Sequence, residues 1–329
     1  MENSSQSASF AWAPFRIAPF FSERVWGIGD LHPWYDQIAT GDPIGEAWLT
    51  GDQCLVASGP HAGKTLGVLF AENSDALLGK SAPRNGSPLL IKVLFVREKL
   101  SVQVHPDDQM ARKYGDPRGK TECWYVLAAE PGAQVACGLK PGVTLDKVKA
   151  GIEEGTLEGS LNLLDVAPGE MVFVDAGTVH AIWPGLIIME TQQNCDLTYR
   201  MYDYGRGREL HIEKSLEAVR FKTRAGKIAP KALAGRTLLM DGDYFRIERI
   251  SVDCSRDSST LSEDDAQPGL QYLFSAAGTG RISGADFESL ELPKGGIVAI
   301  PAASQEFVIE DKGGLELIRI MPSWPKENQ

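Results

Sequence analysis

Period-two alternation, more than any helical repeat, organises this chain. From Leu100 to His105 the sequence LSVQVH alternates apolar and polar residues. A strand there sets Leu100, Val102 and Val104 on one face and Ser101, Gln103 and His105 on the other. In KTECWYVL, Lys120, Glu122 and Trp124 share a face, which places an ammonium and a carboxylate inside a largely apolar segment. Leu89 to Val96 is an apolar run of strand length that only Lys92 interrupts. Helical spacing is rarer. Leu145, Val148 and Ile152 recur behind a Thr144 N-cap, with Gly155 as the stop, and predict a helix over Thr144 to Glu154. A second helix is expected near Ser215 to Phe221.

Composition strengthens the β reading. The 34 glycines and 19 prolines among 329 residues imply many tight turns and short strands, which excludes an all-helical bundle. The length allows two domains. A stretch of small apolar residues and frequent Lys/Arg between about Arg224 and Arg236 reads as a linker. The run GEMVFVDAGTVHAI from Gly169 is echoed by GGIVAIPAASQEFVI from Gly295, 126 residues later. The echo predicts two related β-barrel units, with a tail over residues 1–13, a metal-binding catalytic domain over 14–228 and a C-terminal β domain over 229–329. His180 follows the first glycine by the same interval at which Glu306 follows the second, so only the first unit is expected to hold a metal.

The net charge of −11 argues against nucleic-acid and anionic-membrane surfaces, and no uncharged apolar stretch approaches the roughly 20 residues of a membrane span. Five cysteines without a CxxC pair fit reduced thiols. Met1 to Ser9 is polar and lacks the features of a secretion signal, so the expected compartment is the cytoplasm. Against this background the chemistry concentrates on Gln103, His105, Glu122 and His180. Two imidazoles, one carboxylate and one amide suit a borderline divalent ion such as zinc, with an open position that implies catalysis. His32, His61 and His211 are left as structural or surface residues.

The run from Gly169 also matches the second cupin motif, with Asp175 where a proline is usual. The first motif is present in altered form: Gln103 replaces its first histidine, and 17 positions separate His105 from Glu122. Together with PIGEAWLTG, PLLIKVLFV, LSVQVHPDD, GKTECWYVL, FVDAGTVHAI, METQQNCDLTYRMYDYGR and LHIEKSLEAV, the chain resembles the type I mannose-6-phosphate isomerases, zinc-dependent members of the cupin superfamily. The segments span Pro43 to about Val219, and the chain after Arg236 follows the family loosely.

The resemblance implies a mainly β fold of two cupin-type jelly-roll barrels with a few short helices. It implies one zinc per chain at Gln103, His105, Glu122 and His180. It places Ser101, Lys92 and Lys120 in a sugar-phosphate pocket, Glu190 and Asp196 in its polar wall, and Arg200 near the reacting carbons. Aldose–ketose interconversion through an enediol needs a base, for which Glu190 and Lys120 both stand. Gly119 occupies the place of a histidine found in longer members, and the long helical insertion of those members is absent. Structural alternatives exist: Lys92 at a strand end, Asp196 in an Asx turn, Arg200 paired with Asp203. Two other functions compete, an iron cupin oxygenase and a non-catalytic sugar-binding cupin. Gln103 as a fourth ligand and the cations Lys120 and Arg200 favour a phosphosugar.

Overall fold

The computed structural model describes residues 12–80, 82–261 and 269–325, so residues 1–11 of the expected tail lie outside the described residues. Alternation does govern the architecture. Among the described residues the strands form sheets of eight, seven, five and four, and their pairings are antiparallel. The seven-stranded sheet runs in the order Gly226–Ile228, Met171–Val174, Glu122–Ala129, Leu186–Gln193, Leu89–Val96, Ile44–Trp48 and Phe20–Ile28. The five-stranded sheet runs Tyr199–Tyr202, Val102–Val104, His180–Ile182, Gln134–Leu139 and Leu161–Asp165.

Side-chain parity fixes how these sheets stack. In Leu89–Val96, which is buried throughout, Leu89, Ile91, Val93 and Phe95 pack in one core with Phe274, Ile297, Ile318 and Ile320 of the eight-stranded sheet. Leu94 and Val96 turn the other way, to meet Val135, Cys137 and Ile182 of the five-stranded sheet. A strand buried on both faces needs no polar face, which is why this run is apolar almost without interruption. A further core joins the eight- and four-stranded sheets through Ile250, Leu273, Val298 and Ile309. The outer face of the five-stranded sheet carries Val102, Val104 and Ala181 against Val148, Ile152 and Ala218.

Four α-helices occur among the described residues: α1 (Leu66–Leu78), α2 (Asp108–Lys113), α3 (Leu145–Glu153) and α4 (Ile212–Ala218). Helix α3 lies where the spacing predicted it, and the Thr144 side chain accepts from the Lys147 amide, a cap worth about 1 kcal/mol. Helix α4 starts and stops three residues earlier than expected. Its chain turns extended at Val219, which lets the Arg220 amide bond to the Gly177 carbonyl beside the His180 turn. Leu100 also departs from the expected pattern. The regular strand begins only at Val102, so Leu100 joins the inner core while Val102 and Val104 pack outside.

The repeat has a structural counterpart. Met171–Val174 and Ile297–Ile300 sit 126 positions apart as strands, each preceded by a glycine at positive φ, 86° at Gly169 and 77° at Gly295. Beyond them the copies diverge. Glu306 is exposed and lies outside the strands, which resume at Val308. The sheets also cross the expected domain limits: Phe15–Ala18 pairs with Ile297–Ile300, Phe15 opposite Ala299. No described helix is long and apolar enough to cross a membrane.

Candidate active site

The space between the seven- and five-stranded sheets is apolar at one end and polar at the other. Cross-strand register builds the polar end in rows. Glu190 stands opposite both Lys92 and Trp124, and Trp48 stands opposite Lys92, so four strands bring these side chains to one level. One step along, Gln192 pairs with Glu122. On the facing sheet His180 pairs with Gln103, and Gln103 with Arg200. Period two then aims Glu122, Trp124, Glu190 and Lys92 toward His105 and His180.

At the centre lie His105, Glu122 and His180, each about 1% exposed, with potential ligand atoms all within 4.8 Å of one another. Glu122 Oε2 is 3.4 Å from His105 Nε2, and Glu122 Oε1 is 3.5 Å from His180 Nε2. These contacts are not ion pairs. Burial, followed by the neighbouring Lys120 cation, pushes His105 down to about 3, and burial pushes His180 down as well. Burial resists ionisation of Glu122, but the Lys120 cation outweighs it and holds the carboxyl well below the usual range.

Two neutral rings therefore face an ionised carboxylate. The His180 tautomer is fixed because its Nδ1 lies 2.8 Å from the Thr178 carbonyl, which can only accept; Nδ1 donates and Nε2 presents a lone pair. That lone pair points at a carboxylate oxygen. His105 Nε2, His180 Nε2 and Glu122 Oε2 have no hydrogen-bond partner although they are buried. An unpartnered buried polar atom costs on the order of 1–3 kcal/mol, and three facing one another cost more unless a cation lies between them. Deprotonated imidazole and carboxylate donors are the state in which such residues bind a divalent metal. The trio is a candidate metal site, and its donors fit one.

Charged groups ring it. Lys120 Nζ is 3.5 Å from Glu122 Oε2. Lys92, 1% exposed, sits mid-strand rather than at a strand end, with Nζ 2.8 Å from Asp196 Oδ1, 3.8 Å from Glu190 Oε1 and 4.0 Å from Glu46 Oε1. Burial opposes its charge, but Glu46, Asp196 and Glu190 together hold it protonated above the usual lysine range. Glu190 is pushed up to about 7, chiefly by burial and then by Glu122. Asp196 remains ionised through Lys92, against the effect of its own burial.

Ser101 is buried on the same stretch as Gln103. Arg200 is half-buried, and its Nη1 donates to the Glu209 carbonyl at 2.8 Å. The alternative partner for Arg200, Asp203, is engaged by Arg206 and Arg208.

Three site neighbours were not singled out by sequence reasoning. Glu46 accepts from Arg24 and from the Trp48 indole N–H, both at 2.7 Å, and Trp48 lies beneath Lys92 with Nζ 4.6 Å from its ring centroid. The available signal was a carboxylate at 46 and an aromatic at 48, two apart within an otherwise apolar strand, as in the Glu122 and Trp124 pair.

Residues 15–133 match the family described as phosphomannose isomerase type I, catalytic domain. The mannose-6-phosphate isomerase of Streptococcus mutans is 31% identical over 318 residues, which covers 93% of this chain and 97% of that protein. Mannose-6-phosphate isomerase ManA of Bacillus subtilis is 37% identical over 217 residues, 63% of this chain and 68% of that protein. The crystal structure of the mannose 6-phosphate isomerase from Bacillus subtilis superposes with a TM-score of 0.83 at 30% identity, covering 94% of this chain and 99% of that one. The mainly β architecture is thus the cupin fold expected from the motifs, and near-complete overlap with relatives of 30% identity or more places the chain in the type I mannose-6-phosphate isomerase family.

Proposed function

We propose that this protein interconverts mannose 6-phosphate and fructose 6-phosphate with one zinc ion held by Gln103, His105, Glu122 and His180. The observation that carries the metal part is the set of buried atoms on His105, His180 and Glu122 that face one another without partners. Gln103 joins as fourth donor because it lies two residues from His105 and opposite His180 across the sheet. When bound, the ion supplies Lewis acidity where negative charge develops on the sugar O1/O2 pair.

The chain's own residues supply the rest. Moving a proton between C1 and C2 through an enediol requires a base that is ionised yet ready to return its proton. Burial raises the Glu190 carboxyl above the ordinary carboxylate range, which favours Glu190 over Lys120 as that base. Lys120, already beside Glu122, adds positive charge where the enediolate forms, and Arg200 adds more from the facing sheet. Lys92, Ser101 and Asp196 bind and orient the substrate, Asp196 by holding the Lys92 ammonium in place. Lys92, His105, Lys120, Glu122, His180 and Glu190 are all buried, which limits the access of bulk water to the transferred proton.

The decisive assay is conversion of mannose 6-phosphate by purified protein as isolated, after chelation, and after zinc is restored. Activity that disappears with chelator and returns with zinc is expected. A folded, zinc-loaded protein without activity overturns the phosphosugar assignment.

A further inference from the structure

The geometry points to Trp124 as a positioning residue that sets how both working carboxylates present themselves. Its ring is 1% exposed, and its indole N–H is shared, 3.1 Å from Glu122 Oε1 and 3.2 Å from Glu190 Oε2. The same ring stands edge-on to His180, with centroids 5.6 Å apart. One neutral donor therefore touches three members of the site.

The two hydrogen bonds leave a particular oxygen of each carboxylate unengaged by the indole. On Glu122 that is Oε2, which faces His105 and Lys120. On Glu190 it is Oε1, which faces Lys92. An indole nitrogen can only donate, so it cannot compete with either carboxylate for a cation or a proton. It fixes the rotation of each carboxyl group and the spacing between them, and it neutralises part of the repulsion between two acids on adjacent rows of the sheet. Trp124 thus fixes the Glu122 carboxyl with Oε1 toward His180 and Oε2 toward His105, where both could serve a cation, and holds Glu190 with Oε1 toward Lys92. Register makes this possible: Trp124 lies two residues from Glu122 on one strand and opposite Glu190 on the next.

This inference rests on the metal reading of His105, Glu122 and His180. The test compares Trp124→Phe, which keeps an aromatic ring and removes the N–H, with Trp124→His, which restores a ring N–H. Zinc affinity is measured by competition with a chromophoric chelator, and kcat and KM are measured at zinc saturation. Trp124→Phe is expected to bind zinc about 10–100-fold more weakly, the usual effect of losing an outer partner of a ligand, and to lose kcat more than it changes KM. Trp124→His is expected to recover part of both. Equal zinc affinity and kcat in Trp124→Phe and the parent overturn the proposal, as does a loss that Trp124→His fails to reduce while remaining folded by circular dichroism. His105→Ala run alongside separates the two levels. If that variant keeps its zinc, the metal reading fails; if it loses zinc while Trp124→Phe does not, only the positioning role fails.

Discussion

The two halves of the molecule place charges on matching rows and use them in opposite ways. In the first half one row reads Val172, Trp124, Glu190, Lys92 and Trp48 across five strands. In the second half the strands Ile297–Ile300, Gln271–Ala277, Glu316–Pro322, Phe245–Ser251 and Arg236–Asp241 follow in the same order, and the row reads Val298, Leu273, Arg319, Glu248 and Leu238. The charge pair is inverted: Lys92 opposite Glu190 becomes Glu248 opposite Arg319. Glu248 is fully buried, and its oxygens meet Arg236 at 3.2 Å, Arg246 at 3.0 Å and Arg319 at 3.1 Å, while Arg319 also donates to Gln271 at 2.8 Å. The second network pairs its buried carboxylate with three arginines. The first leaves imidazole and carboxylate atoms facing each other without partners. The same scaffold thus carries an arginine-paired structural carboxylate in one half and, in the other, a candidate metal site whose donors face one another.

The sharpest way to break this comparison is to remove a central donor from the first half. His105→Ala should abolish bound zinc and lower turnover by about 10³-fold or more, because the lost Lewis acid accounts for several kcal/mol of charge stabilisation and each 1.36 kcal/mol is tenfold. Metal analysis and turnover of the same preparation check both. Unchanged zinc content sinks the ligand assignment. Next in size is Glu190→Gln, expected to lower kcat by about 10²–10⁴-fold while the zinc stays. Here the pH profile adds a second reading. Because the Glu190 midpoint is raised to about 7 by burial and then by Glu122, a base role makes kcat/KM fall as pH drops through that region, with the limb displaced downward by any cation held on Glu122. That acid limb should vanish in Glu190→Gln. A parent profile that stays flat from pH 9 to pH 5 assigns the base elsewhere.

How much of this was readable beforehand follows from how far each contact reaches along the chain. Gln103 with His105, and Lys120 with Glu122 and Trp124, were legible because period two puts them on one face, and the 126-residue echo marked corresponding strands. Glu46 was not, because its partner Lys92 comes from a neighbouring strand and its partner Arg24 from another on the far side, a meeting that only sheet order decides. Helix α1 escaped for a local reason. Asn73 leaves helical geometry at φ −137°, and the polar run Glu72 to Asp75 separates the buried Leu66, Leu69 and Phe70 from the buried Leu77 and Leu78, so no apolar repeat continues through the middle. The departure of Leu100 has the same character: alternation holds only once the strand has begun.

The second half offers a prediction of different kind. Glu248→Leu removes the buried carboxylate that Arg236, Arg246 and Arg319 share, so unfolding free energy should drop by about 3–5 kcal/mol. Turnover per folded molecule at a temperature where the variant is native should match the parent. A loss of kcat with unchanged stability would mean that the arginine network serves the reaction, and the contrast between the halves would fail.

The smallest expected effect is the most pointed. Glu306→His restores in the second copy the residue type that His180 supplies in the first. If sequence correspondence alone made a metal site, this variant would gain one. Three features oppose it. Glu306 is exposed and outside the strands, Gln271 is committed to Arg319, and Leu273 takes the row position held by Trp124 in the first half. Zinc content should therefore stay at one ion per chain and stability should move by no more than about 0.5 kcal/mol, the usual range for a surface substitution. A second equivalent of zinc would show that the arginine network yields readily to a cation, and that the matching rows differ by less than their hydrogen bonds imply.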